Sequence, residues 1–117
     1  MQRINIKDLI GQNAVTLDDG EVIYNLIHPS LLHGDLVELD FDGVEIFASP
    51  FFNAGVGRLL VDLNSETLNK QLKFDHLSDF GSRVLRRVID NAKDYYASST
   101  AQRNKIDQVL TSDFLAA

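Results

Sequence analysis

Two carboxylates stand one residue apart at the end of an apolar run, in Leu39-Asp40-Phe41-Asp42-Gly43. Paired carboxylates can serve a hydrolase as nucleophile or as acid and base. The same residues also make an ordinary turn, with Asp40 closing a strand and Asp42-Gly43 rounding the corner. That structural reading is preferred, and the hydrolytic one stands as the alternative.

Other chemistry finds less to work with. The chain has no cysteine, so disulfides, thiolate nucleophiles and thiolate metal sites are excluded. His28, His33 and His76 are scattered and show no ligand spacing, so no metal site is expected. No serine sits in a nucleophile elbow. Asn53-Ala-Gly-Val-Gly57 lacks a full phosphate-binding glycine pattern, and Asp79-Phe80-Gly81 has no companion kinase element. No cofactor is expected. Ser49-Pro50 is more informative, because a capping residue followed by proline opens a helix. Helix N–H groups just past a strand suit an anion or a partner's contact.

The elements that must position these residues alternate along the chain. Residues 2–6 and 71–75 alternate polar with apolar and read as strands, as do residues 36–41, where Val37, Leu39 and Phe41 share a face. Gly11 to Thr16 reads as a loop. Asp18 and Asp19 are placed to cap a helix carrying Val22, Ile23, Leu26 and Ile27, which His33-Gly34-Asp35 ends. A second helix follows Ser49-Pro50 with Phe51, Phe52, Val56, Leu59 and Leu60, and Gly55 and Gly57 mark close packing in it. Ser78 caps a third, with a stripe of Phe80, Val84, Leu85, Val88, Ile89, Ala92 and Tyr96. The expected class is α/β, a small mixed sheet covered by helices. Residues 1–97 form one domain and 98–117 a helical or flexible C-terminal extension, patterned by Ile106, Val109, Leu110 and Phe114.

Length and composition agree. The chain has 117 residues, 44% hydrophobic and 24% charged, enough for one ordinary core. Its net charge of −6 is uneven: residues 1–77 hold 5 basic against 12 acidic side chains, residues 78–117 hold 6 against 5. A net-negative domain repels nucleic acid. Arg83, Arg86, Arg87 and Lys93 are the local exception, read first as a solvated helix face. No apolar run approaches the roughly 20 residues of a membrane span, and no leader opens the chain, so a cytoplasmic location is expected. Tyr95-Tyr96 suits a core-closing or homodimer contact.

Two resemblances bear on function. The Asp40-x-Asp42-Gly43 run resembles the first motif of haloacid-dehalogenase-type phosphatases, which implies that Asp40 attacks phosphorus, Asp42 serves as acid and base and Mg²⁺ bridges the two, but Val44 stands where those proteins have threonine. That family also needs a downstream lysine and a second acidic pair. The longer run Val37-Glu-Leu-Asp-Phe-Asp-Gly-Val44, then Ile46-Phe-Ala-Ser-Pro-Phe-Phe-Asn53 and Gly57-Arg-Leu-Leu60, resembles the STAS-like domain family of unknown function. The resemblance covers roughly residues 2–97. That family is similar in outline to the STAS domains of anti-sigma-factor antagonists. These bind a histidine-kinase-like ATPase and are released when a serine at this helix start is phosphorylated.

The resemblance implies a non-enzymatic, regulatory, protein-binding module. Its partner surface would lie at the strand-to-helix junction, on Asp42, Gly43, Glu45, Phe47, Ser49, Phe51 and Phe52. The antagonists' Asp-Ser-Ser-Gly falls on Ala48-Ser49-Pro50-Phe51, with proline at the usual phosphoacceptor position. Ser49 is the hydroxyl left to accept phosphate, and the charge a phosphate adds is what would break an apolar contact.

Overall fold

The computed structural model describes residues 2–97. The expected extension over 98–117 lies outside them. Three strands, β1 (Gln2–Asn5), β3 (Val37–Asp40) and β5 (Leu72–Asp75), form a sheet in the order β1-β3-β5. A second pair joins β2 (Asn13–Ala14) to β4 (Ile46–Phe47). The fold is α/β as expected, and the sheet anticipated as mixed pairs only in parallel. The strand read over 36–41 is the central one.

Helices carry the crossovers: α1 (Ile6–Ile10), α2 (Leu17–Leu32), α3 (Ser49–Gly55), α4 (Ser65–Gln71) and α5 (Asp79–Ala97), with a 3-10 turn over Gly57–Val61. Alternation along each strand sorts the sheet into two faces. Ile4, Val37, Leu39 and Leu72 enter one core with Ile23, Ile27 and Leu31 of α2, Phe51 and Phe52 of α3, and Leu85 and Val88 of α5. The opposite face carries Arg3, Glu38 and Lys73 in one row and Asn5, Asp40 and Asp75 in the next. Phe41 joins the two sheets. Its ring lies 6.0 Å from those of Phe47 and Phe52 and 6.3 Å from that of Phe74.

The α2–α3 seam is close. A Cβ on Gly20 would lie 2.3 Å from the Phe51 carbonyl oxygen, so the backbones touch where any side chain would block them. Gly55 faces Gly20 across the seam, and Gly57 packs under Val88, as the sequence led one to expect of both. Pro29 sits within α2 near its end. Gln71 Nε2 donates to the carbonyls of Leu31 and Asp35 and so ties the end of α4 to the end of α2.

Three local expectations are corrected. The segment read as a loop contains β2, which pairs Asn13 with Ile46 and Ala14 with Phe47. Thr16 caps α2, its Oγ1 accepting from the Asp19 N–H, while Asp18 and Asp19 occupy the first turn. Ser49 is not the cap of α3. Ala48 holds that position without a side-chain bond, and Ser49 and Pro50 lie in the first turn. The reason is the second sheet: the Ala48 N–H donates to the Ala14 carbonyl, which keeps Ala48 extended and makes it the turning point. Ser78 does cap α5, its Oγ accepting from the Gly81 N–H.

Candidate functional site

The strand-to-helix junction begins as a turn. The Val44 N–H donates to the Phe41 carbonyl, and Gly43 takes the left-handed corner at φ 82°. Asp42, Gly43 and Glu45 are exposed on it. Phe47, Phe51 and Phe52 are not available to a partner: Phe51 is 1% and Phe52 0% exposed, and Phe47 stacks on Phe52 inside the core. The three phenylalanines assigned to the surface therefore belong to the interior, since β4 and α3 both turn their apolar side to the helices. Ser49 is half-buried.

In their place the fold supplies α5. Ser49 shares a hollow of about 330 Å³ with Phe80, Arg83, Val84 and Arg87. Phe80 was expected in the apolar stripe of α5, but it is 55% exposed. The inward position near the start of that helix goes to buried Gly81, where a Cβ would stand 2.8 Å from Leu77 and 3.1 Å from the Phe47 ring. An exposed aromatic with two arginines one helical turn apart thus flanks the one junction hydroxyl.

A second cluster sits at the carboxyl ends of the strands. Register sets Asp40 beside Asp75. Arg3, two residues before the end of β1, reaches along the polar face, and its Nη2 donates to Asp40 at 3.1 Å and Asp75 at 2.9 Å. Its other nitrogen pairs with Glu38. His76 follows β5 in a left-handed conformation, φ 55°. A carboxylate can only accept, so His76 Nδ1 carries the proton it shares with Asp40 at 2.8 Å. Asp40 also accepts from the Asp42 N–H at 3.0 Å.

The electrostatics follow from these bonds. The His76 hydrogen bond, then the Asp42 N–H and Arg3, hold the Asp40 carboxyl below its ordinary range. Arg3 does the same for Asp75. Asp40, with Asp75 beside it, raises His76. Asp40 is 8% exposed and already meets three donors, whereas Asp42 is exposed. Asp40, Asp75 and His76 do offer three ligand atoms within 4.8 Å of one another. The Arg3 guanidinium bonds both carboxylates, so a divalent cation would have to displace it.

Sequence reasoning missed this cluster. Its visible signal was the Asp75-His76 pair closing an alternating strand, but the link to Asp40 spans 36 residues and depends on register.

The chain matches the STAS-like domain of unknown function (DUF4325) over residues 19–93, and it belongs to that family. The matched segment contains β3, the junction, β5 and most of α5. No curated protein and no solved structure matches the chain. Among the described residues, no helix is long and apolar enough to cross a membrane.

Proposed function

We propose that this domain is a non-enzymatic regulatory module that binds a protein partner through α5 and the exposed rim of the junction. The observation that carries the reading is Phe80, a large aromatic left 55% exposed beside Arg83, Arg87 and Ser49. Aromatic and arginine side chains in one patch are the composition of interface hot spots. Asp42, Gly43 and Glu45, exposed on the turn that leads into the junction, would supply polar contacts. The family resemblance names a histidine-kinase-like ATPase as the kind of partner to expect, with a cytoplasmic setting. The hydrolytic alternative gains no support from Asp40, whose carboxylate is committed to Arg3, His76 and the Asp42 N–H.

The test is capture of partners from the native host by the wild type, Phe80→Ser, Arg83→Glu and Ser49→Asp, with thermal melts of each. The variants should melt close to the wild type, because all three positions lie at the surface or its margin. Phe80→Ser and Arg83→Glu should lose the partner. Ser49→Asp should weaken it by placing a charge beside the arginines the partner uses. Equal recovery of the same partners by all three would refute the reading.

A further inference from the structure

We propose that the groove between the β5–α5 turn and α5 is a binding site for a small organic anion, its apolar body against Phe74, Leu85 and Ile89 and its phosphate or carboxylate met by His76, Arg86 and Lys93. The groove has a volume of about 570 Å³, within the range of small-molecule sites. It lies on a different flank of α5 from Phe80, so it does not depend on the partner reading.

Three observations converge there. Arg86 and Lys93 stand on the stripe of α5 that faces the groove, and neither has a carboxylate of a described residue within ion-pair distance, Asp90 included. Two uncommitted cations in a chain of net charge −6 concentrate local field where an anion would sit. His76 also lines the groove, and its ring is fixed through Nδ1 by Asp40. Its Nε2 has no partner among the described residues. A left-handed backbone at a non-glycine residue is a cost that a fold retains at positions where the side chain must be aimed. Finally, His76 stands just beyond the carboxyl end of β5, and the groove runs from it along Phe74 to Asn69 of α4.

With Nδ1–H given to Asp40, Nε2 donates to an anion only in the imidazolium form. The groups acting on that proton are Asp40 on β3, Asp42 after it, Asp75 on β5, Arg3 on β1, and Arg86, Asp90 and Lys93 on α5. The carboxylates favour imidazolium and hold His76 above its ordinary value, so affinity should be highest below that raised value and fall as pH rises through it.

The experiment is an NMR titration of the full chain near pH 6 with phenyl phosphate, benzoate, inorganic phosphate and benzyl alcohol. Saturable shifts are expected around residues 74–77 and 82–93, with dissociation constants in roughly the millimolar range given so few contacts. Phenyl phosphate and benzoate separate the two head groups, and the better of them should exceed both inorganic phosphate and benzyl alcohol. Arg86→Gln/Lys93→Gln should weaken that probe about tenfold through lost charge-assisted hydrogen bonds. His76→Gln should remove the decline in affinity toward pH 8. If the double variant loses the wild-type spectrum, Arg86→Gln and Lys93→Gln alone carry the comparison, each expected to weaken binding by a factor of about three. No saturable shift up to about 10 mM, equal binding of benzyl alcohol, or unchanged affinity in the arginine and lysine variants overturns the proposal.

Discussion

His76 is the residue on which the polar cluster turns, and its protonation links the cluster to stability. Its folded pKa is raised, so its contribution is complete below the unfolded value of about 6.5 and is lost as pH climbs through the folded value. Asp40 and Asp75 are lowered, so theirs is complete above about 3.9 and is lost as pH falls through their folded values. All three contributions coincide only between those limits. Urea melts at pH 5, 6, 7 and 8 should show wild-type stability falling across the upper part of that range, and His76→Gln should flatten the fall. A parallel decline in the variant would assign the effect to another group. Ser49 and Thr16 give a second comparison. Thr16→Ala removes a hydroxyl that accepts from the Asp19 N–H and should cost about 1 kcal/mol. Ser49→Ala removes no cap and should stay within about 0.5 kcal/mol. Thermal melts of the two variants distinguish the observed cap positions from those the sequence suggests.

At the scale of elements, periodicity decided what could be read in advance. Val37, Leu39 and Phe41 alternate over enough residues to declare a strand, and Leu85, Val88 and Ile89 recur at helical spacing beside a serine cap. Asn13-Ala14 and Ile6–Ile10 are too short to display a period, so β2 and α1 were invisible. The error at Ser49 has the same origin, because the Ala14 carbonyl that fixes Ala48 belongs to the unseen strand. Phe51 and Phe52 read two ways in the sequence, as the core of a buried helix and as partner surface, since which side of a short helix faces inward is settled by its neighbours; the interior reading is the one observed. The Gly20 seam offers a direct check on packing. Gly20→Ala would gain up to about 1 kcal/mol of helix propensity. It must also open a 2.3 Å approach to the Phe51 carbonyl. Overpacking against rigid backbone costs up to about 3 kcal/mol. Clash outweighs propensity, so a net loss near 2 kcal/mol is expected in a chemical denaturation series, and a stabilised variant would show that α2 and α3 can separate freely.

Across the whole molecule, division of labour follows from a sheet with one apolar and one polar face. Helices cover the first. The second carries Arg3, Glu38, Asp40 and Asp75, and the groove and the Phe80 patch lie on opposite flanks of α5. The parallel ladders have a further effect on how the chain reaches this state. Gln2 pairs with Val37 and Val37 with Leu72, so each ladder joins residues separated by a complete crossover. Neither can form as a local hairpin, and loop-closure entropy must be met before any strand contact returns it. Stopped-flow refolding should therefore be slow for a domain of this size, on the order of milliseconds to seconds. Microsecond refolding would show that helices rather than strand pairing limit the rate. During synthesis β3 can find β1 while β5 is still within the ribosome, but Leu39 and Ile4 then lack Phe74 and α5 above them. Until Leu72–Asp75 and Asp79–Ala97 have followed, the apolar side of those two strands has no β5 beside it and no α5 in its core.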